Sequence, residues 1–183
     1  MKKFLLIFLH LVSCNFFGQE SESKLLIEKI LETQVLKEFE YAIAAKIDSV
    51  PFEYVINSFI NNNQRKYKSI RDSKEKIKLS RIEKNFLIEK IKNQYNENWK
   101  NDNFKREILQ PNEIKKYLEK SKKNSIVYIT KPILFRSNSV ALTYMVNLHG
   151  DISTGGGISQ FGFYKRTKEG WEKWIMLEEG IYN

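Results

Sequence analysis

His149, Asp151 and Ser153 alternate along the stretch HGDISTGGG and together hold the residue types of a hydrolytic triad. In such a triad the histidine lies in space between the hydroxyl nucleophile and the orienting carboxylate, so its members come from separate loops. Three alternating positions on one short loop offer that geometry poorly. His149 and Asp151 would also make two metal ligands. A third is not identifiable, because His10 is the other histidine and Cys14 the single cysteine of the chain. Gly155, Gly156 and Gly157 lead into residues that read as strand, and the next lysine is Lys165. A phosphate loop needs a helix N-terminus and a lysine at that place. The plain expectation is a hairpin bend in which glycines take turn conformations while Asp151, Ser153 and Thr154 bond their own loop. His149, Asp151 and Ser153 remain the candidates for a hydrolase-like activity. Neither a metal nor a cofactor is expected. The carboxylate pairs Glu178/Glu179 and Glu169/Glu172 fall at predicted strand ends or turns, where a solvated surface is the expectation.

Two other groups could bind rather than react. Residues 65–92 hold 11 Lys/Arg and 4 Asp/Glu, a net +7 in a chain of formal net charge +9. Arg65, Lys66, Lys68 and Arg71 are the candidate polyanion contacts, and Tyr67 among them invites a nucleic-acid reading. Against it stand the expected export of the chain and the commonness of lysine-rich, solvated helical faces. Phe161, Phe163, Trp171 and Trp174 are the candidate ligand-binding aromatics. Aromatics at alternating strand positions more often pack a core.

These residues need elements to hold them. Residues 1–19 carry two lysines, an apolar run and then small residues, the layout of an export signal. The run is broken by His10, Ser13 and Asn15, too short for a membrane span. The segment 11–14 also resembles a lipobox, which would place a lipid on Cys14 after removal of 1–13. Helical spacing of Ile27, Leu31, Val35 and Phe39 predicts a helix from Ser21 or Ser23 to about 47, and Pro51 starts another to about 60. Ser80 and Glu83 have capping-box spacing ahead of a helix to about 96 that would bury Ile88, Ile91 and Tyr95. Trp99 and Phe104 anchor the loop beyond, and Pro111 opens a further short helix. From 125 the texture changes to β-branched runs at 125–130, 133–135, 140–148, 158–166 and 171–178, with turns at 137–139 and 168–170. With 183 residues and 42% hydrophobic content, one domain with a packed core is expected. The fold class is α+β: a helical region over 20–124, then an antiparallel β region over 125–183.

The order of 129–135, the glycine-rich hairpin, Tyr164-Lys165-Arg166 and Trp171-Glu172-Lys173-Trp174 resembles a group of small exported proteins of Bacteroidota without known activity. The likeness extends over about 80–183. In that group the hairpin carries a pair of cysteines, whereas this chain has His149 to Thr154 there. The resemblance implies a fold and a compartment: periplasm, secretion, or the outer membrane if Cys14 is lipidated. Helices across one face of a bent sheet would also resemble the nuclear-transport-factor superfold. The expected function is a non-enzymatic binding or interaction module of the envelope. Its partner would be an envelope protein or a small apolar ligand, with membrane attachment only through a lipid anchor and no nucleic acid.

Overall fold

The computed structural model describes residues 20–33, 35, 39–47, 50–100, 104, 106–149 and 156–182. The export signal, Cys14, Asp151 and Ser153 lie outside the described residues.

Helix α1 spans 20–33 and buries Leu26, Ile27, Ile30 and Leu31 at three- and four-residue spacing. The chain is not helical to 47 as periodicity predicted. It turns into strand β1 (Glu40–Ala44), where Ala42, Ile43 and Ala44 are all buried. A strand between two parallel neighbours has both faces covered, so an apolar run there need not alternate. Helix α2 (Val50–Asn61) follows as expected. Strands β2 (Lys66–Lys68) and β3 (Lys76–Lys78) form a separate hairpin where a lysine-rich helical face was expected. Helix α3 (Arg81–Asn93) begins with the predicted capping box: Glu83 N donates to Ser80 Oγ, and Ser80 N to Glu83 Oε2. Its buried residues are Lys84, Leu87 and Ile91; Ile88 is half-buried and Tyr95 exposed. Strand β4 (Ile108–Leu109) precedes helix α4 (Pro111–Lys120).

The C-terminal strands are β5 (Asn124–Ile129), β6 (Ile133–Phe135), β7 (Val140–His149), β8 (Gly157–Thr167) and β9 (Gly170–Tyr182). The α+β class stands, but the sheet is mixed: its order is β4-β1-β5-β7-β8-β9, with β6 also on β7. β1 runs parallel to β4 and β5, and the other pairs are antiparallel. The region 20–124 is therefore not purely helical, since it donates β1 and β4 to the sheet.

Helices cover both faces, not one. Val140, Leu142, Tyr144 and Val146 of β7 pack with α2, α3 and the hairpin, while Ala141 and Met145 pack with α1. β7 supports this because its second face is also free of charge. Three consecutive residues with positive φ, Arg136, Ser137 and Asn138, make the β6–β7 turn. Arg136 then reaches Glu83 through Nε at 2.6 Å and holds that carboxyl down to about 2.

Candidate polyanion-binding surface

The local sequences Lys66-Tyr67-Lys68 and Lys76-Ile77-Lys78 alternate with period two, which sends lysines to one side of a strand and the middle residue to the other. Register pairs Lys66 with Lys78, Tyr67 with Ile77 and Lys68 with Lys76. Tyr67 and Ile77 are buried against α2 and the sheet, with the Tyr67 ring stacked on Phe59 at 5.5 Å. The four lysines therefore share the outer, exposed face as two directly opposed pairs. Two like charges about 6 Å apart repel by roughly 0.7 kcal/mol in water. Directly opposed like charges weaken strand pairing.

What holds this repulsive hairpin is its inner side. Tyr67 Oη donates to Gln64 O at 2.7 Å and accepts from Lys84 Nζ. Lys84 is 6% exposed, donates to Phe59 O at 2.6 Å and stands 3.3 Å over the Phe59 ring. Its ammonium meets a carbonyl in the last turn of α2, where unpaired carbonyls and the helix dipole favour a cation. Burial depresses Lys84 to about 8 and raises Tyr67 to about 12. At its far end the hairpin is pinned to the sheet: Ile70 N donates to Met176 O at 2.9 Å and Met176 N to Ser69 Oγ at 3.3 Å.

Apart from Glu178, which shares a crevice with Lys68, the nearby carboxylates are engaged elsewhere. Asp72 accepts from Lys74 N within the turn, and Glu75 accepts from the Trp174 indole. Glu83 is held by Arg136 and the α3 cap. Glu179 takes Arg71 in a two-point pair at 2.6 and 2.7 Å, with Lys173 at 3.6 Å. Among the described residues, Lys66, Lys68, Lys76 and Lys78 form no ion pair. Three of them, Lys66, Lys68 and Lys78, border an open cleft of about 590 Å³ together with Gln64 and Arg65.

Of the expected polyanion contacts, Arg65, Lys66 and Lys68 thus meet at one place, and Arg71 does not, being committed to Glu179. Lys76 and Lys78 were missed. The two short alternating stretches on either side of 69–75, with Asp72-Ser73 as turn formers, were the signal that would have found them. Tyr67 faces inward and offers no ring for stacking on a base.

The other candidates scatter. Phe163 and Trp171 are 0% and 5% exposed and belong to the two opposite cores, so they line no site. Trp174 is half-buried against Glu75. Phe161 is buried too, yet its edge reaches a small crevice between α2 and the sheet. His149 stacks on Phe39 at 4.7 Å, and its backbone N–H closes the β7–β8 loop on Gly156 O at 2.9 Å. Its expected partners Asp151 and Ser153 lie outside the described residues. Glu178 is half-buried with its carboxyl raised by burial, and it is not paired for acid–base work with Glu179. Among the described residues no three His, Cys, Asp or Glu side chains gather as a metal site, and no helix is long and apolar enough to cross a membrane. No protein-family model, no curated protein and no solved structure matches the chain.

Proposed function

We propose that this chain is an exported, non-enzymatic binding protein of the bacterial envelope that attaches to polyanions through the outer face of the β2–β3 hairpin. The observation that carries this reading is the two opposed lysine pairs that form no ion pair among the described residues. A fold gains nothing from four like charges on so small a ribbon, and an external anion would relieve their repulsion. Export rests on the N-terminal 19 residues, and attachment through a lipid on Cys14 would add to it. A cone-like sheet of the nuclear-transport-factor kind is the finer fold reading, supported only by the way α2 and α3 lean on one face of the sheet.

Each lysine near a strongly anionic surface is worth about 1 kcal/mol. Replacing Lys66, Lys68, Lys76 and Lys78 together by glutamine should therefore cut affinity for heparin on the order of 10³-fold, with elution at much lower salt. The four side chains are exposed, so far-ultraviolet circular dichroism should stay unchanged. Elution at the wild-type salt concentration would refute the reading.

A further inference from the structure

The basic cleft does not end at the lysines. Gln64 and Lys68 also line a second crevice, of about 220 Å³, that runs between the C-terminal half of α2 and strands β8 and β9. That volume equals about seven waters of liquid, the scale of a single sugar ring. Its floor is the edges of Phe59 and Phe161, both buried. Its rim is polar: Ser58 from α2, Asn62 just past the end of that helix, Gln64, Lys68 and, from β9, Glu178. Asn62 and Gln64 are already bonded to one another, with Gln64 N donating to Asn62 Oδ1 at 2.8 Å. Ser58 and Glu178 make no side-chain hydrogen bond or ion pair among the described residues.

A carboxylate beside a polyanion site is a contradiction if charge is all that is recognised, because it would repel the ligand. It is useful if the ligand also carries hydroxyl groups, since an ionised carboxylate only accepts and takes hydroxyl donors strongly. Tyr67, the one aromatic ring within β2 and β3, faces inward and offers nothing for base stacking. Building on the polyanion reading above, we infer that the ligand is an anionic polysaccharide. Its acidic groups lie along Lys66, Lys68, Lys76 and Lys78, and one sugar ring enters the crevice with its hydroxyls toward Glu178 and Ser58.

The sign of one substitution separates this from charge recognition alone. Glu178→Gln removes a negative charge, so a purely electrostatic site should bind every polyanion more tightly. With Glu178 as a hydroxyl acceptor, the variant should bind a heparin-derived oligosaccharide about tenfold more weakly, while inorganic polyphosphate, which has no sugar hydroxyls, binds as well as before or better. Ser58→Ala, an exposed change on α2, should repeat the selective loss in smaller measure. Both variants are compared by calorimetric titration at one salt concentration, with thermal midpoints recorded beside wild type. Glu178→Gln binding that strengthens, holds or falls equally for both probes overturns the polysaccharide inference. If the four-lysine variant binds both probes like wild type, the polyanion reading itself fails.

Discussion

Lys84 is the residue on which the hairpin's underside rests, and its burial has a consequence in alkaline solution. Its folded pKa of about 8 lies below the unfolded value of 10.5, so between these pH values the unfolded chain binds the additional proton. Stability contributed through this group therefore increases as pH rises from about 8 toward 10.5, the reverse of the loss expected from an ion-paired lysine. Lys173 is lowered by burial in the same direction. Lys84→Met removes only the first contribution. Urea midpoints of wild type and variant should therefore draw apart in favour of wild type between pH 7.5 and 9.5, and parallel midpoints would disprove the assignment. Tyr67 teaches a related lesson: flanked by lysines it looks like a base-stacking ring, yet strand alternation turns it into the core. Its hydroxyl then serves Lys84 and Gln64.

At the scale of the element, the β2–β3 hairpin holds a conflict between strand pairing and surface charge. Lys76→Glu would set an opposite charge directly across from Lys68. Such cross-strand pairs contribute roughly 0.2–1 kcal/mol, so the variant should be more stable than wild type by about that amount. Its retention on heparin should fall at the same time. A thermal midpoint that rises while retention is lost would identify the lysine face as a binding device and not a structural one; a fall in both would contradict it. The helices carry no such conflict. The α3 capping box and the proline start of α4 agree with their surroundings, and both were readable from short spacings in the chain.

For the molecule as a whole, the β8–β9 ladder is irregular where β9 holds the β2–β3 hairpin. Register shifts occur between Phe161 and Gly162 and between Phe163 and Tyr164, opposite the part of β9 whose Met176 bonds Ser69 and Ile70. A Cβ on Gly162 would stand 2.5 Å from Ile175 O, backbone that cannot yield as a flexible side chain can. Gly162→Ala should destabilise by about 1–3 kcal/mol, as overpacking does. With roughly 2–4 °C per kcal/mol for a chain of this size, the thermal midpoint drops by several degrees. An unshifted midpoint would mean that the ladder is not constrained there. Segment 69–71 bonds the edge strand β9 at Met176 and so covers that part of an edge open to pairing with another chain.

Local signals were enough for the parts of this protein whose neighbours lie close in sequence. The cap of α3, the proline start of α4, the turns at 137–139 and 168–170, the strands from β5 onward and the concentration of cations over 65–92 could all be read along the chain. Each depends on alternation, on a cap or on a turn residue within a few positions. The tertiary structure decided what depends on distant partners. β1 became a strand because β4 and β5 flank it on both sides, overriding a helical period. The second face of β7 was claimed by α1. Arg71 left the basic face because Glu179, far along the chain, takes its guanidinium. Lys66, Lys68, Lys76 and Lys78 converge because the hairpin register puts them opposite one another. The stretch 149–157 stood out most as sequence, but among the described residues it places a histidine stacked on Phe39, and its last glycine opens β8. Which charges stay free is a property of pairing in space, and composition cannot supply it.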